Sequence, residues 1–485
     1  MDLSVELHRR GDRTSAIYRA LVEAMGDGRL RSGDRFPSTR KLAADLAVSR
    51  TTVETAYQRL GAEGYLQGRV GAGTFVTAAA VAEPDKRDQH RRGGALRPRV
   101  GWVFAPDPTS SRDDSPGADF RVGIPDPALF PFDTWRRLVS AELRLRANLP
   151  GTYGEPSGHP ALREAIAGQL GRSRSLRAVA DDILITNGTQ QALDLTARVL
   201  LAPGNLVAVE EPGYSRARAL LASHGATVVG VPVDAEGIVV QRIPAGARLV
   251  FSTPSHQFPL GIPMSLERRR ELLRWADEHD SAIFEDDYDS EFRFTARPLA
   301  PLHSLDRSGR VLYAGTFSKS LLPSLRIGFL IAPSSLRSAL RAARQLTDWH
   351  GVMALQAALA RFIDDGSLAT HVRRASAVYQ QRRTLMLGGI GEHLGEWFDI
   401  VPSSAGLHVC AILRQGMDLR STEVVAAARM TGTALEGLAT HYAGPADRQG
   451  LVLGYGMAQP QSIGPGLAGV ARLVRRFLTP AATQP

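Results

Sequence analysis

The chain has 485 residues, a 44% apolar fraction and a formal net charge of +9. Such a length favours about three domains with room for a large core, which excludes a disordered or fibrous chain. The single cysteine, Cys410, excludes an intramolecular disulfide framework and a cysteine-rich zinc site, and no apolar run approaches the roughly 20 residues needed to cross a bilayer. The N-terminus MDLSVELHRR has no apolar signal-peptide core, so the expectation is a cytoplasmic protein without membrane partners.

Residues 1–77 read as a winged helix-turn-helix. Ile17, Leu21 and Met25 recur at helical spacing, and Pro37 with the N-cap candidate Ser38 precedes Leu42 and Leu46. Ala47-Val48 reads as a tight turn. Ser49 then caps a helix whose Val53, Ala56, Tyr57 and Leu60 form one apolar stripe, away from Arg50, Thr51, Glu54 and Gln58. The segment YLQGRVGAGTFV, with Gly68, Gly71 and Gly73, predicts a glycine-rich hairpin. Residues 78–119 change to Ala, Pro, Gly, Ser and charge and read as a flexible linker. Its basic run KRDQHRRGGALRPR is either a solvated tether or an auxiliary phosphate contact.

From residue 120 to 485 short apolar runs alternate with helical stretches: ILIT, LVAV, ARLVF, AIFED, VLYAG and IGFLIA. This alternation predicts an α/β domain on a mostly parallel sheet. A larger part is expected over about 150–355 and a smaller one over about 356–485, with helices near 357–389 and 464–478 and strands around His408–Ile412 and Leu451–Tyr455.

The 58 basic residues comprise 55 Arg and 3 Lys, namely Lys41, Lys86 and Lys319. Where positive charge alone is required this chain uses Arg, so a Lys is a candidate for chemistry that a guanidinium cannot perform. An amine of lowered pKa forms an imine with an aldehyde, whereas a guanidinium stays protonated. In VLYAGTFSKSLLPSLRIGFL an apolar strand delivers Thr316, Ser318 and Lys319 to a turn, with Arg326 following. Two hydroxyls, an amine and a guanidinium suit a phosphorylated aldehyde; a plain Ser/Lys-rich loop is the alternative. In ILITNGTQQALDL, Asn187, Gly188, Thr189 and Gln190 lie between a strand and a helix start, where free N–H groups attract an anion. AIFEDDYDSEFR sets acids at the carboxyl end of an apolar strand, suited to hold a proton on a pyridine nitrogen, with a Mg2+ cluster as the rival. EEPGYSRAR offers Tyr214 as a stacking ring or a structural tyrosine, with Arg216 two residues on.

Together, GTFSKSLLPSLRIGF, TNGTQQALDL, EEPGYSRAR, TPSHQFPLG and EDDYDSEF resemble the aminotransferase-like PLP fold-type-I domain of the MocR (GabR-like) regulators. RFPSTRKLAADLAVSRTTVETAYQRLGAEGYLQGRVGAGTFV resembles a GntR-type winged helix. The resemblance implies pyridoxal 5'-phosphate (PLP) held through Lys319, with Asp286 on the pyridine nitrogen, Tyr288 beside the phenolic oxygen and Tyr214 stacked on the ring. It implies a phosphate cup of Gly188, Thr189, Gln190, Thr316, Ser318 and Arg326, and a domain-swapped homodimer. Operator DNA would meet Arg40, Ser49, Arg50, Thr52, Arg69 and Thr74. Two departures from catalytic relatives stand out. Phe258 replaces the Asn expected before the conserved proline, and Val452 stands where a carboxylate-gripping Arg is expected, with Arg216 a partial substitute for an effector's carboxylate. The expectation is therefore a DNA-binding transcription regulator that senses PLP, or an amine or amino acid reacting with bound PLP. A working aminotransferase with an appended DNA module is the alternative, and a dimerisation scaffold the third reading. No metal is expected.

Overall fold

The computed structural model describes residues 12–69, 71–77, 117–144, 151–294, 300–403 and 405–480. The chain divides into two compact units, Met1–Pro98 and Arg99–Pro485.

The first unit contains α1 (Arg13–Gly26), α2 (Thr39–Asp45), α3 (Arg50–Ala62), β1 (Leu66–Arg69) and β2 (Gly73–Val76). Both expected caps form: Ser38 Oγ accepts from the Lys41 N–H at 3.2 Å and Ser49 Oγ from the Thr52 N–H at 3.1 Å. Ala47 turns the chain between α2 and α3 in the left-handed region, with φ 52°. The stripe Val53, Ala56, Tyr57 and Leu60 is buried with Ile17, Leu21, Met25 and Phe36 in one core. Tyr57 also donates its hydroxyl to the Pro37 carbonyl at 3.0 Å and meets Phe36 edge-on, which fixes the entry to α2 against α3. The hairpin is antiparallel, with Leu66 opposite Val76 and Arg69 opposite Gly73.

Most of the expected linker lies outside the described residues. Its end does not behave as linker: β3 (Ala118–Asp119) pairs in parallel with Thr433–Ala434. The second unit then runs through α4 (Phe132–Glu142), α5 (Pro160–Arg174), β4 (Ile183–Thr186), α6 (Thr189–Leu200), β5 (Leu206–Glu211), α7 (Ser215–Ser223), β6 (Thr227–Asp234) and β7 (Gly237–Ile238). Next come β8 (Ala247–Ser252), α8 (Leu266–Glu278), β9 (Ala282–Asp287), α9 (Leu302–Leu305), β10 (Val311–Thr316), β11 (Gly328–Ile331) and α10 (Ser334–Asp348). The remainder comprises α11 (Met353–Asp364), α12 (Ser367–His393), β12 (Phe398–Ile400), β13 (His408–Leu413), β14 (Met417–Asp418), α13 (Ser421–Met430), β15 (Thr433–Ala434), β16 (Glu436–Gly437), β17 (Gly450–Gly454) and α14 (Pro460–Phe477).

Eight strands form one sheet in the order β4-β11-β10-β9-β8-β5-β6-β7, parallel from β10 to β6. The α/β class and mostly parallel sheet agree with the sequence pattern, and all six apolar runs are strands, because strands covered on both faces read as continuous apolar segments. Two strands of this sheet escaped that reading, the two-residue β7 and its neighbour β6. β6 alternates buried and exposed residues near the sheet edge and contains Gly230 and Pro232, so it lacks an apolar run. The helical region expected near 357–389 is two helices, because Gly366 at φ 78° breaks the chain between α11 and α12. A second, antiparallel sheet of order β12-β13-β17-β16 carries the smaller part. Tyr379, Met386, Leu467 and Val470 share its core. Among the described residues no helix is long and apolar enough to cross a membrane.

Candidate functional site

The carboxyl ends of β4, β5, β8, β9 and β10 point to one edge of the large sheet, because β11 runs antiparallel between β4 and β10 while the others are parallel. Every chemistry-bearing motif leaves the sheet at that edge, where open α/β sheets hold their ligands. Gly328 is the junction: it pairs with both Thr186 and Thr316, and a Cβ on it would lie 2.9 Å from the Gly188 Cα. The Asn187–Gln190 turn and the Thr316–Lys319 turn are thereby packed side by side.

Lys319 points inward, and its Nζ donates to the Gly123 carbonyl at 2.5 Å. Gly123 has φ 72°, and a Cβ there would sit 2.5 Å from Nζ, so only glycine leaves room for the amine. Burial lowers the Lys319 pKa and Arg216 adds to this, against the opposing pull of Asp289, Asp286 and Glu436. Lys319, Asp286 and Arg216 thus share one electrostatic neighbourhood.

Asp286 and Asp287 are adjacent carboxylates with opposite fates. They project to opposite faces of β9, as side chains on a strand do. On one face Asp286 accepts from the Thr189 hydroxyl at 3.2 Å, and burial, with Asp287 and Asp289 adding, pushes it up to about 7 despite Thr189 and Lys319. On the other, burial also opposes ionisation of Asp287, but the Arg174 guanidinium and the Tyr313 hydroxyl, at 2.5 Å, hold it below the usual carboxylate range. Glu285 accepts the N–H groups of Leu302 and His303, both at 2.8 Å, and Asp289 meets His256. The four acids therefore serve separate partners and do not converge on a common point.

At the start of α6, Gly188 is the N-cap with φ 87° and no side chain caps the helix. Beside this terminus lies the exposed Arg326, whose Nη2 donates to the Asn187 carbonyl at 2.5 Å. A Cβ on Gly188 would lie 3.1 Å from that guanidinium. Thr316 Oγ1 donates to Ser318 Oγ at 3.0 Å and accepts the Ser318 N–H at 3.1 Å. Gln190 Nε2 donates to the Tyr214 hydroxyl at 3.4 Å, and the Tyr214 ring is roughly parallel to Phe251, with centroids 6.5 Å apart. Arg216 is exposed in the first turn of α7.

Phe258 is an aromatic hub, edge-on to Tyr214, Tyr288 and His441 at 5.8, 6.0 and 5.0 Å between centroids. Val452 is fully buried on β17 beside Val122, Leu260 and Cys410, so this position supplies an isopropyl group instead of a cation. Cys410 itself is buried, with its thiol pushed up to about 12, and is chemically quiet.

Sequence reasoning missed Gly123, His256, Asp289, Ser403 and His408. His256 was in view within TPSHQFPLG, but nothing local distinguishes it from a core histidine; its partners come from other parts of the chain.

In the first unit Arg40, Ser49, Arg50 and Arg69 are exposed, while Thr52 and Thr74 are half-buried. The Ser49 and Thr52 hydroxyls are 2.7 Å apart and both serve the α3 end. Arg50 pairs with Glu54 at 2.7 Å in an exposed i,i+4 bridge, which is worth only about 0.3–0.5 kcal/mol and yields readily to a phosphate. The Arg69 guanidinium lies over the Phe75 ring, 5.0 Å from its centroid. Arg35 also reaches this hairpin, lying against Gly73, a proximity the sequence did not reveal. A cavity of about 390 Å³ opens on the Asp287 face of the large sheet, lined by Arg174, Tyr313, Phe329 and Thr316 among others; Lys319 does not line it.

The fold and its carboxyl-edge constellation define an aminotransferase-type domain, accompanied on the same chain by a winged helix-turn-helix. Residues 129–433 match the family Aminotransferase class I and II, and residues 13–76 match Bacterial regulatory proteins, gntR family. The chain belongs to the aminotransferase class I and II family, among the MocR-type regulators that join this domain to a gntR-family helix-turn-helix. It is 38% identical to the probable rhizopine catabolism regulatory protein MocR of Rhizobium meliloti, over 96% of this chain and 93% of that protein. Identity to the HTH-type transcriptional regulator TauR of Rhodobacter capsulatus is 37%, over 96% and 97%. For the pyridoxine biosynthesis transcriptional regulator PdxR of Corynebacterium glutamicum it is 31%, over 88% of each. Among solved structures, kynurenine aminotransferase of Pyrococcus horikoshii in complex with PMP superposes with a TM-score of 0.69 at 29% identity, over 76% of this chain and 92% of that one.

Proposed function

We propose that the protein is a DNA-binding transcription regulator whose second unit holds PLP and responds to PLP itself or to an amine or amino acid that competes for it. The observation that carries this reading is Lys319. It is the only lysine of the second unit, and its amine of lowered pKa lies among Asp286, Asp289 and Arg216 at the ligand edge of the sheet.

The residues present fit the cofactor. The uncapped α6 terminus, the Thr316 and Ser318 hydroxyls and the Arg326 guanidinium suit a phosphate, and the cradle at Gly188 is one that a Cβ would crowd. Asp286 would hold a proton on the pyridine nitrogen, Tyr214 would cover the ring and Tyr288 would meet the phenolic oxygen. Bound PLP supplies a carbonyl that reacts reversibly with primary amines. Lys319 presents an amine of lowered pKa to that carbonyl, Gly123 orients it, and Arg216 receives the carboxylate of an amino-acid effector. Were an effector amine to take the cofactor carbonyl in place of Lys319, the lysine amine would be free to donate to the Gly123 carbonyl as it does in this structure. That exchange makes the two states of the unit differ in contacts, as a switch requires.

Phe258 and Val452 favour sensing over turnover, because an apolar ring and an isopropyl group stand where a polar anchor and a cation would grip an ordinary α-amino acid. The exposed Arg40, Arg50 and Arg69 suit phosphate and groove contacts on operator DNA, and a domain-swapped homodimer would engage two half-sites. Full-length protein incubated with PLP is expected to show a visible absorption band that Lys319→Ala abolishes. A colourless wild type would remove the cofactor from the reading and leave a DNA-binding scaffold.

A further inference from the structure

The β8 loop carries His256, which none of the proposed cofactor contacts uses. It is buried to 2% exposure, and three side chains converge on it. Its Nδ1 lies 3.0 Å from Asp289 Oδ2, itself 2% exposed, and 3.0 Å from the Tyr288 hydroxyl; its Nε2 lies 3.0 Å from Ser403 Oγ. Two glycines at positive φ hold the ring edges. A Cβ on Gly261 would be 3.1 Å from Nε2, and one on Gly406 would be 2.1 Å from Cε1 and 2.5 Å from Asp289 Oδ2.

The proton count at Nδ1 decides what this cluster does. An ionised carboxylate only accepts hydrogen bonds, so the contact with Asp289 requires Nδ1 to carry its hydrogen. A protonated Nδ1 cannot accept from Tyr288, so toward His256 the tyrosine oxygen can only accept. Its own O–H is left free to point elsewhere. This holds whichever way Ser403 is turned, since Nε2 either accepts from Ser403 or donates to it while the Ser403 hydroxyl serves the Ala405 carbonyl at 3.2 Å. Tyr288 stays a phenol, because burial and the surrounding carboxylates raise its pKa well above 10. The other groups facing His256 are the ring of His408, at 4.9 Å between centroids with its Nε2 committed to the Pro259 carbonyl, and the edge-on Phe258 beyond Tyr288.

We propose that Asp289 and His256 are a positioning pair that turns the Tyr288 hydroxyl proton away from the protein and toward the phenolic oxygen of the bound cofactor. The inference rests on the cofactor reading above and adds to it the residues that set the direction of that hydrogen bond.

The test uses full-length protein and PLP as the probe, read by visible absorption and by the pH midpoint of that band. His256→Gln keeps the Asp289 charge but provides an amide that donates to Asp289 and whose oxygen captures the Tyr288 proton. Losing one neutral hydrogen bond to the cofactor is expected to weaken PLP binding by several-fold to roughly tenfold. It also leaves the phenolic oxygen more basic, which moves the band midpoint roughly half to one pH unit upward. In a Tyr288→Phe background the same substitution is expected to change neither quantity further, because the hydroxyl through which it acts is gone. Should His256→Gln fail to fold, Asp289→Asn serves with the same readouts, its effect on the Lys319 charge being cancelled by comparison with the Tyr288→Phe background. Unchanged affinity and midpoint, or changes that persist undiminished without the tyrosine hydroxyl, would overturn the pair while leaving the cofactor reading intact. A wild type with no band would overturn both.

Discussion

Replacing Asp286 by Asn isolates one buried proton. In the cofactor-free chain Asp286 is pushed up to about 7 from an ordinary value of 3.8, mainly by burial, with Asp287 and Asp289 adding. Between about pH 4 and 7 the folded state therefore holds a proton that the unfolded chain has released. Stability then falls as pH rises through that window, by about 1.4 kcal/mol per pH unit from this carboxyl alone. Over roughly three units the loss approaches ~4 kcal/mol, an upper bound because water and neighbouring dipoles relax around a buried charge. Asn has the same shape and no such proton, and Glu285, also pushed up to about 7, is common to both proteins and cancels. Urea unfolding of cofactor-free wild type and Asp286→Asn at intervals from pH 4 to 8, following the transition of the second unit, is expected to show wild type losing stability relative to the variant as pH rises, then levelling off. A difference that is flat with pH, or wild type gaining ground toward pH 7, would refute the assignment of a raised pKa.

Gly123→Ala places a methyl group 2.5 Å from the Lys319 amine at a backbone φ of 72°, so PLP titration is expected to show loss or strong weakening of the visible band with the fold retained by circular dichroism. Arg50→Ala is expected to weaken DNA retention and to lower the log–log salt slope by about 0.9, one released counterion; an unchanged slope would remove Arg50 from the phosphate contacts. Tyr57→Phe deletes the bond to Pro37 and leaves a half-buried carbonyl short of this partner, costing the first unit about 1 kcal/mol in thermal unfolding. Arg382→Ala strands the buried Asp126 carboxylate, with which it pairs at 2.6 Å, and is expected to cost the second unit about 3–5 kcal/mol.

Local chemistry fixed much of this protein in advance. Ser38 and Ser49 announce helix starts because a hydroxyl before an amphipathic run satisfies N–H groups within three residues, and both are caps. ILIT, AIFED and VLYAG announce strands because a strand covered on both faces reads as a largely continuous apolar run, with the acids of AIFED coming only at its carboxyl end. Lys319 drew notice because an arginine-rich chain retained it. The elements whose signals depend on context were not legible: β6 near the sheet edge, and the break at Gly366 inside an otherwise continuous helical pattern. Tertiary structure alone decided the partners. The Gly123 carbonyl that receives the Lys319 amine is 196 positions away in the chain, and the Ser403 that meets His256 is 147 away. Asp286 and Asp287, neighbours of the same residue type, end on opposite faces of one strand with opposite proton affinities, because a single step along a strand reverses the side chain's direction and with it every charge and dipole it meets.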